Sequence, residues 1–93
     1  MFERILKRMR EKVRNCQYVM TYHARKEMSD EGLIIYDVEH GILTGKMVER
    51  QKNTVTAEWK YRIKGETIEG DEVEVIAKLS PTGKLVIITV YRP

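Results

Sequence analysis

The chain has 93 residues, 42% hydrophobic and 33% charged, which is one small globular domain able to bury roughly two-thirds of its extended surface. Its single cysteine, Cys16, excludes an internal disulfide, and no apolar run is long enough to cross a bilayer. The basic N-terminus is not followed by a signal-peptide core, so a cytoplasmic protein is expected. Cys16 itself reads as a small, semi-buried apolar residue.

Charge is unevenly placed. Of 17 basic and 14 acidic side chains, residues 1–15 hold six (Arg4, Lys7, Arg8, Arg10, Lys12, Arg14) against two (Glu3, Glu11). That leaves 11 basic and 12 acidic for the rest. A basic arm on a near-neutral body suits an anionic partner, either nucleic acid or an acidic protein surface; the plain alternative is a solvated helix face.

In chain order, Phe2, Ile5, Leu6, Met9 and Val13 fall at helical spacing and predict an amphipathic helix over 2–15. Residues 17–20 form an edge strand or a plain extended segment. Thr21 is placed to N-cap a second helix over 22–31, stopped by Gly32. A third helix is expected over 36–43, stopped by Gly45, with Gly41 costing about 1 kcal/mol inside it.

From Lys46 the period becomes two. Strands are predicted over 47–51, along the alternation Val55, Ala57, Trp59, Tyr61, Ile63, and over 72–79. Ser80-Pro81-Thr82-Gly83 has the residues of a type I turn, and 85–91 is an apolar strand expected near the middle of the sheet. Helices followed by strands indicate an α+β fold: two to three N-terminal helices on a four-stranded antiparallel sheet, five-stranded if 17–20 pairs. The sheet's other face would carry Lys60, Arg62, Ile76, Lys78, Val86, Ile88 and Val90. That patch is both apolar and cationic, suited to a partner or to cover by the basic first helix.

His23 is the most suggestive residue for chemistry, because imidazole moves protons near neutrality without a metal. Capping or plain exposure is the structural alternative, and His40, mid-helix, reads as a surface residue. Cys16, His23 and His40 form no metal-ligand spacing, the glycines form no phosphate loop, and no Ser or Cys lies in a nucleophile motif. No metal or cofactor is therefore expected.

The remaining His, Tyr and Arg residues suffice to cleave RNA. One group takes the 2′-hydroxyl proton, another protonates the leaving oxygen, and a cation stabilises the phosphate. His23 is the candidate acid or base, Arg62 the cation, and Tyr91 a proton donor or stacking surface. Strand alternation turns Tyr61 away from Arg62, into the core. Arg25, Lys26, Lys60 and Arg92 are candidate substrate-binding cations.

Thr21-Tyr22-His23-Ala24, Gly32-Leu33, Gly45, Tyr61-Arg62-Ile63-Lys64-Gly65 and Ile88-Thr89-Val90-Tyr91 together resemble a small bacterial and archaeal domain family of unassigned function. The resemblance spans residues 18–92, and that family is similar to toxins of the RelE and BrnT types. It implies the helix-plus-sheet fold above, a metal-independent endoribonuclease acting on RNA, and an antitoxin partner of zinc-finger or helix-turn-helix type. Glu27 and Glu31 stand where relatives tend to carry arginine, and Ile34 where they cap a helix with serine. Two other readings accompany the toxin: a non-catalytic RNA- or protein-binding module, and a homodimer formed through Val86, Ile88 and Val90.

Overall fold

The computed structural model describes residues 2–93, so Met1 of the basic segment lies outside the described residues. Leu6, Met9 and Val13 share one face of α1 (Glu3–Arg14) and are buried, while most of its cations point to solvent. The helix stops in a Schellman motif: Gln17 N–H donates to Lys12 O at 2.8 Å and Cys16 N–H to Val13 O at 3.1 Å. Cys16 holds the left-handed position usual for glycine, at φ 54°, and is exposed rather than semi-buried.

The short segment after it is a strand, β1 (Tyr18–Met20), and Thr21 caps α2 (Tyr22–Asp30) by accepting from Ala24 N–H at 3.0 Å. Gly32, at φ 68°, ends that helix in a second Schellman motif. In α3 (Ile35–Thr44) the missing serine cap is replaced from inside the helix. The Asp37 carboxylate accepts from Ile34 N–H at 3.0 Å.

Four further strands follow: β2 (Lys46–Lys52), β3 (Trp59–Glu66), β4 (Glu72–Leu79) and β5 (Leu85–Tyr91). The predicted strand through Val55 and Ala57 is shortened. Asn53 accepts from Val55 and Thr56 N–H groups at 2.9 and 3.2 Å, Ala57 sits at φ 60°, and Val55 is 90% exposed. The Asx turn overrides the period-two pattern there. At the β4–β5 hairpin, Gly83 N–H bonds Ser80 O at 2.9 Å, with Gly83 at φ 87°, as a type I turn plus bulge requires.

The sheet order is β1-β5-β4-β3-β2, antiparallel except that β1 runs parallel to β5. It is therefore a five-stranded mixed sheet rather than an antiparallel one. Helices and three strands separate β1 from β5 in the chain, a connection long enough to bring the two together in parallel.

All three helices contribute to one core with Tyr61, Ile63, Val73, Val75, Ala77, Leu85, Ile87 and Val90. The basic α1 therefore docks with the other helices, and does not cover the opposite sheet face. Val90 is wholly buried, although simple alternation puts it with Val86 and Ile88 on that other face. The pairing steps from Ile76–Thr89 to Ala77–Ile87, and the β5 residue left over, Ile88, is a bulge that reverses the alternation. The proposed dimer face loses Val90 for this reason.

The helical layer is pinned by specific contacts. Arg10 donates to Gly45 O at 2.8 Å and to Ile42 O at 3.4 Å, satisfying carbonyls at the C-terminal end of α3. The Tyr18 phenol donates to the Glu39 carboxylate, joining β1 to α3. Gly41 of α3 lies directly on Gly65 of β3, close enough that a Cβ on Gly65 would strike the Gly41 backbone. Among the described residues, no helix is long and apolar enough to cross a membrane.

Candidate functional site

On the uncovered face of the sheet, register decides which side chains meet. Glu74 of β4 lies opposite Lys64 of β3 and Tyr91 of β5, and Arg62 stands one diagonal step away, opposite Ile76. The Glu74 side chain is only 9% exposed, although its strand face looks outward. A carboxylate so covered needs partners. Arg62 Nη1 is 3.7 Å from Glu74 Oε1, and Nη2 is 3.7 Å from Glu49 Oε2 on β2.

These are ion pairs, too long to be hydrogen bonds. The Arg62 Nε is buried with no hydrogen-bond partner among the described residues. The guanidinium is thus positioned but under-bonded, and a buried donor left unmade costs about 1–3 kcal/mol.

Tyr91 completes the cluster. The neighbouring Glu74 carboxylate holds the phenol above its ordinary pKa, with burial adding and Arg62 opposing. Arg62 in turn is raised, first by Tyr91 and then by the Glu74 and Glu49 charges, against the opposing effect of burial. Two of the expected catalytic residues, Arg62 and Tyr91, therefore come together, and Glu74 joins them. Sequence reading passed over Glu74 as one more polar residue in an alternating strand.

His23 lies elsewhere. Its Nε2 is 3.0 Å from Glu27 Oε1, and the same oxygen accepts from Val90 N–H at 3.3 Å. β1 ends opposite Ile87, so Val90 has no neighbouring strand on that edge, and Glu27 satisfies its N–H. His23 thus stands one relay from the backbone residue preceding Tyr91, at the C-terminal end of β5. Among the described residues, no hydrogen bond or ion pair joins it to Arg62 or Tyr91. His40 is half-buried and tied by Nδ1 to Glu66 O at 2.8 Å, a link between α3 and the end of β3.

The candidate substrate cations are dispersed. Lys26 pairs with Asp30 at 3.2 Å along α2, and Arg92 with Asp71 at 3.5 Å. Arg25 borders a cavity of about 510 Å³ beside β1 and α2, away from Arg62. Lys60, on the open face, has no ion pair among the described residues. That face is also more balanced in charge than expected, since Lys64 pairs with Glu72 at 3.5 Å and Lys78 with Glu58 at 3.2 Å. Among the described residues, no three His, Cys, Asp or Glu side chains gather as metal ligands.

Helices on one side of a mixed sheet, with a buried carboxylate between an arginine and a tyrosine on the other, define the architecture. A family model described as a domain of unknown function (DUF4258) matches residues 20–92, and the chain belongs to that family. The matched segment carries His23, Arg62, Glu74 and Tyr91, and leaves α1 outside. No curated protein and no solved structure matches the chain.

Proposed function

We propose that this chain is the toxin of a toxin–antitoxin pair and cleaves RNA without a metal, using the Arg62–Glu74–Tyr91 cluster. The observation that carries the reading is the under-bonded Arg62 guanidinium held beside a nearly buried carboxylate on a solvent-open face. A phosphate taking the place of Glu49 at Nη2 meets a cation with donors to spare.

In the proposed reaction Glu74 takes the 2′-hydroxyl proton and that oxygen attacks the adjacent phosphorus. Arg62 stabilises the charge on the phosphoryl oxygens. The bond to the 5′ oxygen breaks, giving a 2′,3′-cyclic phosphate, and the leaving oxygen takes a proton from the Tyr91 phenol beside Glu74. His23, paired with Glu27 on α2, stands outside this step. Lys60, on the same open face and without an ion pair among the described residues, would meet the flanking RNA. The antitoxin, a zinc-finger or helix-turn-helix protein by the resemblance above, would cover the face.

The test is cleavage of a defined RNA by the purified chain in a chelating buffer. Glu74→Gln and Tyr91→Phe should each slow the reaction by roughly 10²–10⁴-fold, the usual worth of a proton-transfer group, while His23→Ala should leave it unchanged. Unchanged cleavage by folded Glu74→Gln refutes the mechanism, unchanged cleavage by Tyr91→Phe removes the phenol from it, and a large loss in His23→Ala would bring the imidazole back into it. The charge balance of the sheet face favours a second reading, a non-catalytic RNA- or protein-binding module. RNA bound by the wild-type chain and left intact would support it.

A further inference from the structure

A group of cations without carboxylate partners lies on a different surface. Arg4, Lys7, Arg8 and Arg14 of α1 are exposed and make no ion pair among the described residues, whereas Arg10 is committed to α3. Close to Arg8 lies the chain's only tryptophan. Trp59 is 38% exposed, with Arg50 Cζ 4.5 Å and Lys52 Nζ 5.7 Å from its ring centroid. Between α1 and the β2–β3 hairpin is a groove of about 320 Å³ lined in part by Ile5, Arg8, Glu58, Trp59, Tyr61 and Pro81. The one acidic side chain there, Glu58, is engaged by Lys78 at 3.2 Å.

We infer that this groove binds single-stranded RNA, one base stacking against Trp59 while the neighbouring phosphates meet Arg8, Arg4 and Lys52. An aromatic face set among cations is the combination that unpaired nucleotides require, because every base has a surface to stack and every linkage a charge to neutralise. A lipid surface fits less well. The apolar side of α1 (Leu6, Met9, Val13) is buried in the protein's own core and has nothing to insert. The groove rests on the reading of the chain as RNA-directed and gives it a docking site separate from the Arg62 cluster. It is built partly from α1, outside the segment shared with the family.

The probe is an uncleavable 2′-O-methyl oligouridylate, so that binding is observed without reaction. Saturable quenching of Trp59 fluorescence is expected, and the affinity should fall with salt. Each phosphate contact contributes about 0.7 to the logarithmic slope on a single strand, so Arg8→Gln and Lys52→Gln should each lower it by about that amount. Trp59→Leu, followed by anisotropy of a labelled oligonucleotide, should bind roughly 5- to 150-fold more weakly, the range for losing one stacked base.

Both cation variants are on the surface and keep the test valid should Trp59→Leu fail to fold, which circular dichroism reports. Wild-type affinity and salt slope in the two cation variants overturn the proposal. So does equal quenching by polyphosphate, polyglutamate or phosphatidylglycerol vesicles, which carry charge but no base. Quenching without RNA cleavage in the parallel assay sinks the nuclease and leaves the groove. Cleavage without quenching does the reverse.

Discussion

Replacing Gly65 by alanine drives a methyl group into the main chain of α3. The added Cβ would stand 2.8 Å from the Gly41 carbonyl carbon and 3.0 Å from its Cα, and nearer still to its oxygen. No rotamer change relieves that contact, so helix and strand must separate. Overpacking relieved by side-chain movement costs about 1–3 kcal/mol, and a backbone contact belongs at or beyond the upper end. A loss of about 3 kcal/mol lowers Tm by roughly 12–24 °C in a domain of this size.

Gly41→Ala is the internal control. Its Cβ would meet Val73 Cγ1 at 2.6 Å, a buried side chain rather than main chain, and alanine regains about 1 kcal/mol of helix propensity. The net cost there is about 0–2 kcal/mol. Urea and thermal melts followed by circular dichroism should rank Gly65→Ala well below Gly41→Ala. A Gly65→Ala protein within about 1 kcal/mol of wild type, or a reversed order, would refute the backbone-on-backbone packing.

Cys16→Gly should stabilise the protein. The left-handed conformation costs a non-glycine residue about 1–2 kcal/mol, glycine's extra unfolded-state freedom offsets about 0.5–1, and Tm should rise by several degrees; a fall would remove strain from Cys16. Stability should also decline in alkali. Burial, followed by the hydrogen bond to Glu39, raises the Tyr18 phenol above its ordinary pKa of about 10. The folded state therefore keeps a proton that the unfolded chain releases. That contribution is complete below about pH 10 and disappears as pH rises through the folded value. Tyr18→Phe should make the decline shallower in urea melts, leaving the share due to Tyr91, and an identical alkaline slope would uncouple the Tyr18 phenol from folding.

Local patterns were enough to read the amphipathic face of α1, the Thr21 cap, the Gly32 stop, the Ser80–Gly83 turn and the inward side of Tyr61. Each rests on backbone preference or on periodicity within a few residues. Arg62 and Tyr91 were legible as candidates because an arginine and a tyrosine at strand positions are conspicuous by type. His23 stood out for the same reason, but residue type says nothing of what an imidazole touches.

Contacts between distant residues decided the rest. The parallel pairing of β1 with β5, the bulge that buries Val90, and the choice of Glu74 as the covered carboxylate all depend on strand register. Gly41 looked like a flaw in a helix until Val73, far along the chain, filled the space of the missing side chain. Composition and spacing specify which faces each element offers, whereas only the assembled sheet specifies which residues then stand opposite one another. A one-residue change of register turns a side chain to the other face, and so it settles whether a glutamate is solvent decoration or the middle of a site.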